Sequence, residues 1–200
     1  MTTTKIKNDK KILEKRSTKG NIPINNKLLN KYNNVREIFD STKNNFKNFI
    51  EVSYNLKIDI DIENIRIEEI KKLANDIFSQ NHQDNIFLND NNKILVSKSG
   101  INESIEKICN NYNQRELLKE HLKVFSKLGE IIEHAELVSQ VLEKKGREKY
   151  NNWNYYIDGI LIDDVEYVLE FEVVSMSNGE NHYRVQRIEK TNNHEGVTNA

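Results

Sequence analysis

The sequence has one cysteine, one proline and no long apolar run in its 200 residues. The lone Cys109 excludes an intramolecular disulfide and a thiolate metal cluster, and its helical spacing from Ile105 predicts a small packed residue. No stretch approaches the roughly 18 apolar residues of a membrane-spanning helix, and the first residues, MTTTKIKNDKK, lack the apolar core of a signal peptide. We therefore expect a cytoplasmic protein without a membrane anchor, and the sequence indicates no metal or cofactor.

Charge is balanced overall but unevenly distributed. The net charge is -1, yet residues 1–50 carry 12 Lys and Arg against 4 Asp and Glu, and residues 151–200 carry 3 against 9. A basic arm of this kind either binds a polyanion such as RNA, docks on the acidic end of its own fold, or stays solvated. The sequence leaves these three alternatives open.

Composition divides the chain into four predicted segments. Residues 1–30 indicate a basic flexible arm, 31–90 a helical region, 91–190 an α+β domain and 191–200 a disordered tail. Together they predict an α+β fold with N-terminal helices, and further helices packed on a small antiparallel sheet.

Two amphipathic helices are predicted in the helical region. Apolar residues at three- and four-residue steps indicate one helix that reaches Ser53 and a second from Ile67 to Phe78. Between them, Ile58 and Ile60 alternate with acids, which indicates a short strand or an extended link. His82 follows in a polar loop, where we expect it to be solvated.

The stretch KILVSKSG predicts a buried strand that opens onto a turn, with a helix from Ile101. A serine there is suited to cap the helix, and Lys98 with the first helical amides is suited to hold an anion. A longer helix is then predicted from about Gln114 to Leu128, with His121 on its apolar face and Gly129 at its end.

Three antiparallel strands are predicted near the chain's end, over residues 153–162, 165–175 and 182–189. Asp163 and Asp164 form the first turn. The second turn fixes the register: a two-residue loop pairs Val173 with Arg184, whereas a three-residue loop pairs Val173 with Val185 and Ser175 with Tyr183. We favour the three-residue loop, because it keeps the apolar side chains on one face.

The chemical signal is a scatter of polar groups rather than one strong motif. Metal-free cleavage of RNA needs a base for the 2′-hydroxyl, an acid for the leaving oxygen and a cradle for the phosphorane charge. A histidine with a near-neutral pKa suits the first two roles. Candidate groups for these roles are His121, His134, His182, Lys98, Ser99, Ser175, Tyr183 and Arg184.

The order VSKSGIN, KEHL, GEIIEHAELV, NYYIDGILIDDVEYVLEFEVV and NGENHYRVQRIEK resembles the phage and mobile-element branch of the barnase/EndoU/colicin/RelE-like (BECR) nucleases over residues 93–190. The resemblance implies a metal-independent RNase with helices on one face of an antiparallel sheet. It gives Lys98 and Ser99 as phosphate contacts and Tyr183 on the last strand. Histidines that often follow these motifs in similar sequences are displaced here.

The leading hypothesis is therefore an RNase of phage or mobile-element origin that acts on RNA, including tRNA. His121, Lys98 and Tyr183 would be catalytic, and Ser99, Ser175 and Arg184 would bind substrate. A cognate immunity or carrier protein is a further expected partner. The alternative is a non-catalytic phage-encoded inhibitor that binds a host defence nuclease or an RNA-guided complex.

Overall fold

Helices pack against one face of a curled, seven-stranded mixed sheet in a computed structural model of the chain. The structure describes residues 49–52, 58, 60–61, 64–142 and 150–191. The strands are β1 (Ile50–Val52), β2 (Ile86–Asn89), β3 (Asn92–Leu95), β4 (Glu136–Leu142), β5 (Tyr150–Ile162), β6 (Val165–Met176) and β7 (Asn181–Lys190). The helices are α1 (Ile67–Asn81), α2 (Lys98–Cys109), α3 (Tyr112–Arg115), α4 (Leu118–Val124) and α5 (Leu128–His134).

The sheet is built around the hairpins β5–β6 and β6–β7. Its order is β1-β5-β6-β7-β3-β2, and β4 pairs with the first half of β5. The α+β prediction is confirmed, but the sheet is larger than expected and mixed, because β1 runs parallel to β5 and β3 parallel to β7. Both parallel pairs join residues far apart in sequence, which no local pattern reveals.

The predicted strands and first turn of the ribbon are confirmed, including positive φ at Asp163 and Asp164. The favoured register is wrong, because Val173 pairs with Tyr183, and Ser175 with Asn181. Four residues, 177–180, form the loop, and a bulge follows in which Arg184 is the extra residue on β7. The bulge lets the pairing shift while apolar side chains stay on the helix-facing side.

Several helix predictions are confirmed and others need correction. Both α1 and α2 form, and Cys109 is buried as expected. The predicted helix from Gln114 to Leu128 is instead broken into α3 and α4. The helix predicted to reach Ser53 is wrong over its last residues, because Ile50–Val52 form strand β1. The remainder of that prediction, and the arm and tail, lie outside the described residues, so the four-segment division stays a prediction.

Two local expectations about the helical layer are also wrong. Gly129 lies in the first turn of α5 rather than ending a helix. A Cβ there would lie 2.3 Å from Cε1 of the Phe87 ring, so the close approach of this ring favours glycine. His82 is half-buried rather than solvated: its Nε2 lies 3.1 Å from the Phe125 carbonyl oxygen and its ring 4.7 Å from that of Phe78. None of the helices in the described ranges is long and apolar enough to span a membrane.

Candidate functional site

His121 and Tyr183 belong to one buried hydrogen-bond network. Their side chains are fully buried, and both contact Gln186: its Nε2 lies 3.2 Å from His121 Nδ1, and the Tyr183 hydroxyl donates to its Oε1 at 3.0 Å. Gln114 Oε1 lies 2.9 Å from His121 Nε2, and Ser104 Oγ lies 3.4 Å from the Tyr183 hydroxyl. The structure thus unites two of the predicted catalytic residues.

This network covers an edge of the sheet. β3 pairs with β7 only at Asn181 and His182, which leaves the rest of that edge facing α2 and α3. There the Gln114 side chain donates to the Ile188 carbonyl and accepts from the Ile188 N–H, both at 3.0 Å, and Ser104 Oγ accepts from the Gln186 N–H at 3.2 Å. The network therefore has a structural role, because it satisfies buried main-chain groups.

The same bonds fix the protonation state of His121. Gln114 must direct Oε1 toward the Ile188 N–H, so His121 Nε2 has to donate to that oxygen, and Nδ1 then accepts from Gln186. Burial lowers the pKa of His121 to about 3, and it raises the pKa of the Tyr183 hydroxyl well above its ordinary value. His121 is thus a neutral ring with both nitrogens occupied.

Lys98 and Ser99 are exposed on the first turn of α2, unlike the buried members of this network. The helix begins three residues earlier than predicted, and the expected serine cap is Ser97, whose Oγ accepts from the Gly100 N–H at 3.1 Å. Because His121 and Tyr183 are fully buried, they cannot line a solvent-filled cleft with Lys98. Of the three residues predicted to be catalytic, Lys98 is therefore separated by burial from His121 and Tyr183.

Ser175 and Arg184, which were predicted to bind substrate together with Ser99, have partners within the fold. Ser175 Oγ accepts from Asn154 at 2.9 Å and donates to Asn181 at 2.7 Å, which ties together three strands. The Arg184 guanidinium forms an ion pair with Glu103 and lies 4.9 Å from the centre of the Trp153 ring. The polar groups of both side chains are therefore engaged by neighbouring residues of the fold.

An Asp–His pair lies elsewhere, and it joins the candidate His134 to Asp158, which the sequence analysis did not name. His134 Nδ1 is 3.1 Å from both carboxylate oxygens of Asp158, which is 2% exposed and also accepts from the Gly159 N–H at 2.8 Å. Burial raises the pKa of Asp158, and the bond to His134 opposes that rise. For Asp158 the only sequence signal was its place on β5 between the buried Tyr156 and Ile160.

The His134–Asp158 pair has the geometry in which a carboxylate orients a general base. About half of the His134 side chain, 55%, is exposed. The same pairing also has a purely structural reading, because a buried carboxylate needs a hydrogen-bonding partner where a helix end packs on a sheet. Among the described residues, no group of three His, Cys, Asp or Glu side chains is placed to hold a metal ion.

The sequence of this domain matches one family model. A model described as large polyvalent protein-associated domain 3 matches residues 65–183, which is more than half of the chain and extends from just before α1 into β7. No curated protein and no solved structure matches. The match indicates a phage-associated domain and does not identify a nuclease family.

Proposed function

The chain belongs to the large polyvalent protein-associated domain 3 family, and we propose that it serves as a non-catalytic protein-binding domain. The observation that carries this proposal is the burial of His121 and Tyr183 in a network that satisfies the edge of β7. A general base must reach the proton that it removes, and these two groups do not reach solvent. Their hydrogen-bonding capacity is already used by Gln114 and Gln186.

The arrangement of charge also supports binding rather than RNA cleavage. A phosphorane needs a cation or several amides beside the base, whereas Lys98 is exposed on α2 and His121 is fully buried. Arg184 is engaged with Glu103. A domain of this kind acts by occupying the surface of a partner, and the host defence nuclease or RNA-guided complex named above is the partner class to test.

The test is an RNA cleavage assay of the full chain in EDTA, with total RNA and tRNA as substrates. We expect no cleavage by the folded wild type. Cleavage by the wild type that is lost in His121→Gln would overturn the proposal and restore the predicted RNase. Cleavage that is lost in His134→Gln but kept in His121→Gln would overturn it too, and would assign the chemistry to the His134–Asp158 pair.

A second measurement addresses binding directly. Purified host defence nucleases and RNA-guided complexes are titrated with the chain, both for binding and for inhibition of their nuclease activity. Saturable binding to one of these proteins, together with no RNA cleavage in the first assay, supports the proposal. Binding that requires RNA, and that weakens steeply as salt is raised, would indicate an RNA-binding domain instead.

A further inference from the structure

The sheet protects its edges unequally. The edge of β7 beyond β3 is covered by Ser104 and Gln114, and β4 carries a bulge between Leu137 and Ser139. The edge strand β2, with the sequence IFLN, has no bulge, proline or lysine and pairs regularly with β3. Natural edge strands are usually blunted by such features, because an open edge accepts another strand.

The main chain of β2 directs alternate residues to its outer edge. Val96 N–H donates to the Asn85 carbonyl at 2.8 Å, so residues 85, 87 and 89 direct their main-chain groups toward β3. The N–H and C=O groups of Ile86 and Leu88 therefore point away from the sheet. Their side chains are 52% and 53% exposed on one face of β2, so the strand offers an apolar face beside an outer edge that is unpaired within the described ranges.

We propose that β2 accepts an extended segment of a partner protein as an added strand. Ile86 and Leu88 would supply the main-chain hydrogen bonds and an apolar contact surface. Exposed Asp84 and Asp90 flank the strand on either side, and the strand itself carries no charge. The segment that fits is apolar at alternate central positions and carries Lys or Arg at its ends.

A second copy of the chain suits this edge less well than a peptide segment. The strand has four residues, and only two of them direct main-chain groups outward. A stable dimer buries on the order of 1,200–2,000 Å² in total, far more than one short strand pair supplies. Two copies would also bring the flanking aspartates of both chains together, whereas a basic segment would neutralise them.

This inference deepens the proposed function and rests on it, since it names the binding surface and the chemistry of the partner. The probe is a displayed library of random decapeptides selected on the full chain. We expect the selected peptides to have alternating apolar residues and basic ends. On titration with one of them, the amides of Ile86 and Leu88 should gain protection from hydrogen exchange.

Three variants test the surface. Leu88→Pro removes the outward N–H, and Leu88→Lys adds a charge that blocks an edge, whereas Leu137→Lys makes the matched change on β4, at 49% exposure. The two Leu88 variants should weaken peptide binding by about tenfold or more, as expected for losing a hydrogen bond and its apolar contact. Leu137→Lys should leave it unchanged, and circular dichroism confirms folding.

Failure of this inference is distinguishable from failure of the proposed function. If the peptides bind the two Leu88 variants and the wild type with equal affinity, and the protein cleaves no RNA, only the β2 surface is overturned. RNA cleavage with intact peptide binding at β2 overturns only the non-catalytic function. A wild-type dimer in sedimentation that Leu88→Lys abolishes would replace the peptide occupant by a second copy.

Discussion

Replacing His121 with glutamine should flatten the dependence of folding stability on acid. The pKa of His121 is lowered to about 3 by burial, against 6.5 for an exposed histidine. Between these values the unfolded chain binds a proton that the folded chain does not. Stability from this histidine is therefore complete above pH 6.5 and is lost as the pH falls toward 3.

The size of the effect follows from the shift. Each pH unit inside the window changes the free energy of unfolding by up to ~1.4 kcal/mol, so acidification from pH 6.5 to 4.5 costs at most about 2.7 kcal/mol. Glutamine has no titrating group in this range. The variant should be less stable at pH 7.5 by roughly 1–3 kcal/mol, because one network bond is lost in a buried site.

The assay is urea unfolding of the wild type and His121→Gln at several pH values between 7.5 and 4.5, followed by the fluorescence of Trp153, the single tryptophan. Groups common to both proteins cancel in the difference. The gap between the two free energies should narrow as the pH falls. NMR of the imidazole nitrogens should in addition show a neutral ring with the proton on Nε2 down to pH 5.

Parallel pH profiles for the two proteins would refute this reasoning. They would mean that His121 has the same pKa in the folded and unfolded chains. A histidine that titrates near pH 6.5 in the folded protein must exchange protons with solvent. In that case the burial argument against a catalytic base would be wrong, and the RNase hypothesis would regain its central residue.

The remaining predictions concern Glu172 and two glycines. Burial, and to a lesser extent the neighbouring Glu170, raises the pKa of Glu172 to about 7. The protonated carboxyl therefore contributes its full stability below pH 4.5, and this contribution is lost as the pH rises through 7. Glu172→Gln should thus stabilise the fold by about 1–3 kcal/mol at pH 8.5 and not at pH 4.5, measured by urea unfolding, and equal effects at both pH values would contradict this. Gly100→Ala would place a Cβ 2.2 Å from the main-chain oxygen of Tyr183, so we expect a loss at the upper end of roughly 1–3 kcal/mol in thermal unfolding. Gly129→Ala should cost less, since a Phe87 side chain can shift where a backbone cannot, and a stabilisation by either alanine would show that these close approaches do not exist.

Local patterns determined much of the architecture. Three- and four-residue apolar steps were sufficient for α1 and α2, and alternation was sufficient for β5 to β7, because each pattern matches the geometry of its own element. The serine cap of α2 and the Asp163–Asp164 turn were also predictable, since capping and tight turns depend on residues that are adjacent in sequence. The placement of His121 on an inward helix face belongs to the same class.

Strand pairing and burial depend on contacts between distant parts of the chain. β1 and β4 become strands because β5 offers them an edge, and nothing in their own sequences distinguishes them from helix. The register between β6 and β7 depends on a bulge at Arg184, which lies beside Glu103 of α2.

The solvent access of His121 depends on distant contacts in the same way. Helical spacing placed His121 on the apolar face of its helix. Such a face can line either a solvent-filled cleft or a buried core. The choice was made by Gln114 and Gln186, which meet it from segments 7 and 65 residues away. Sequence specifies which side chains a helix turns inward, whereas solvent access depends on what packs against them from distant parts of the chain.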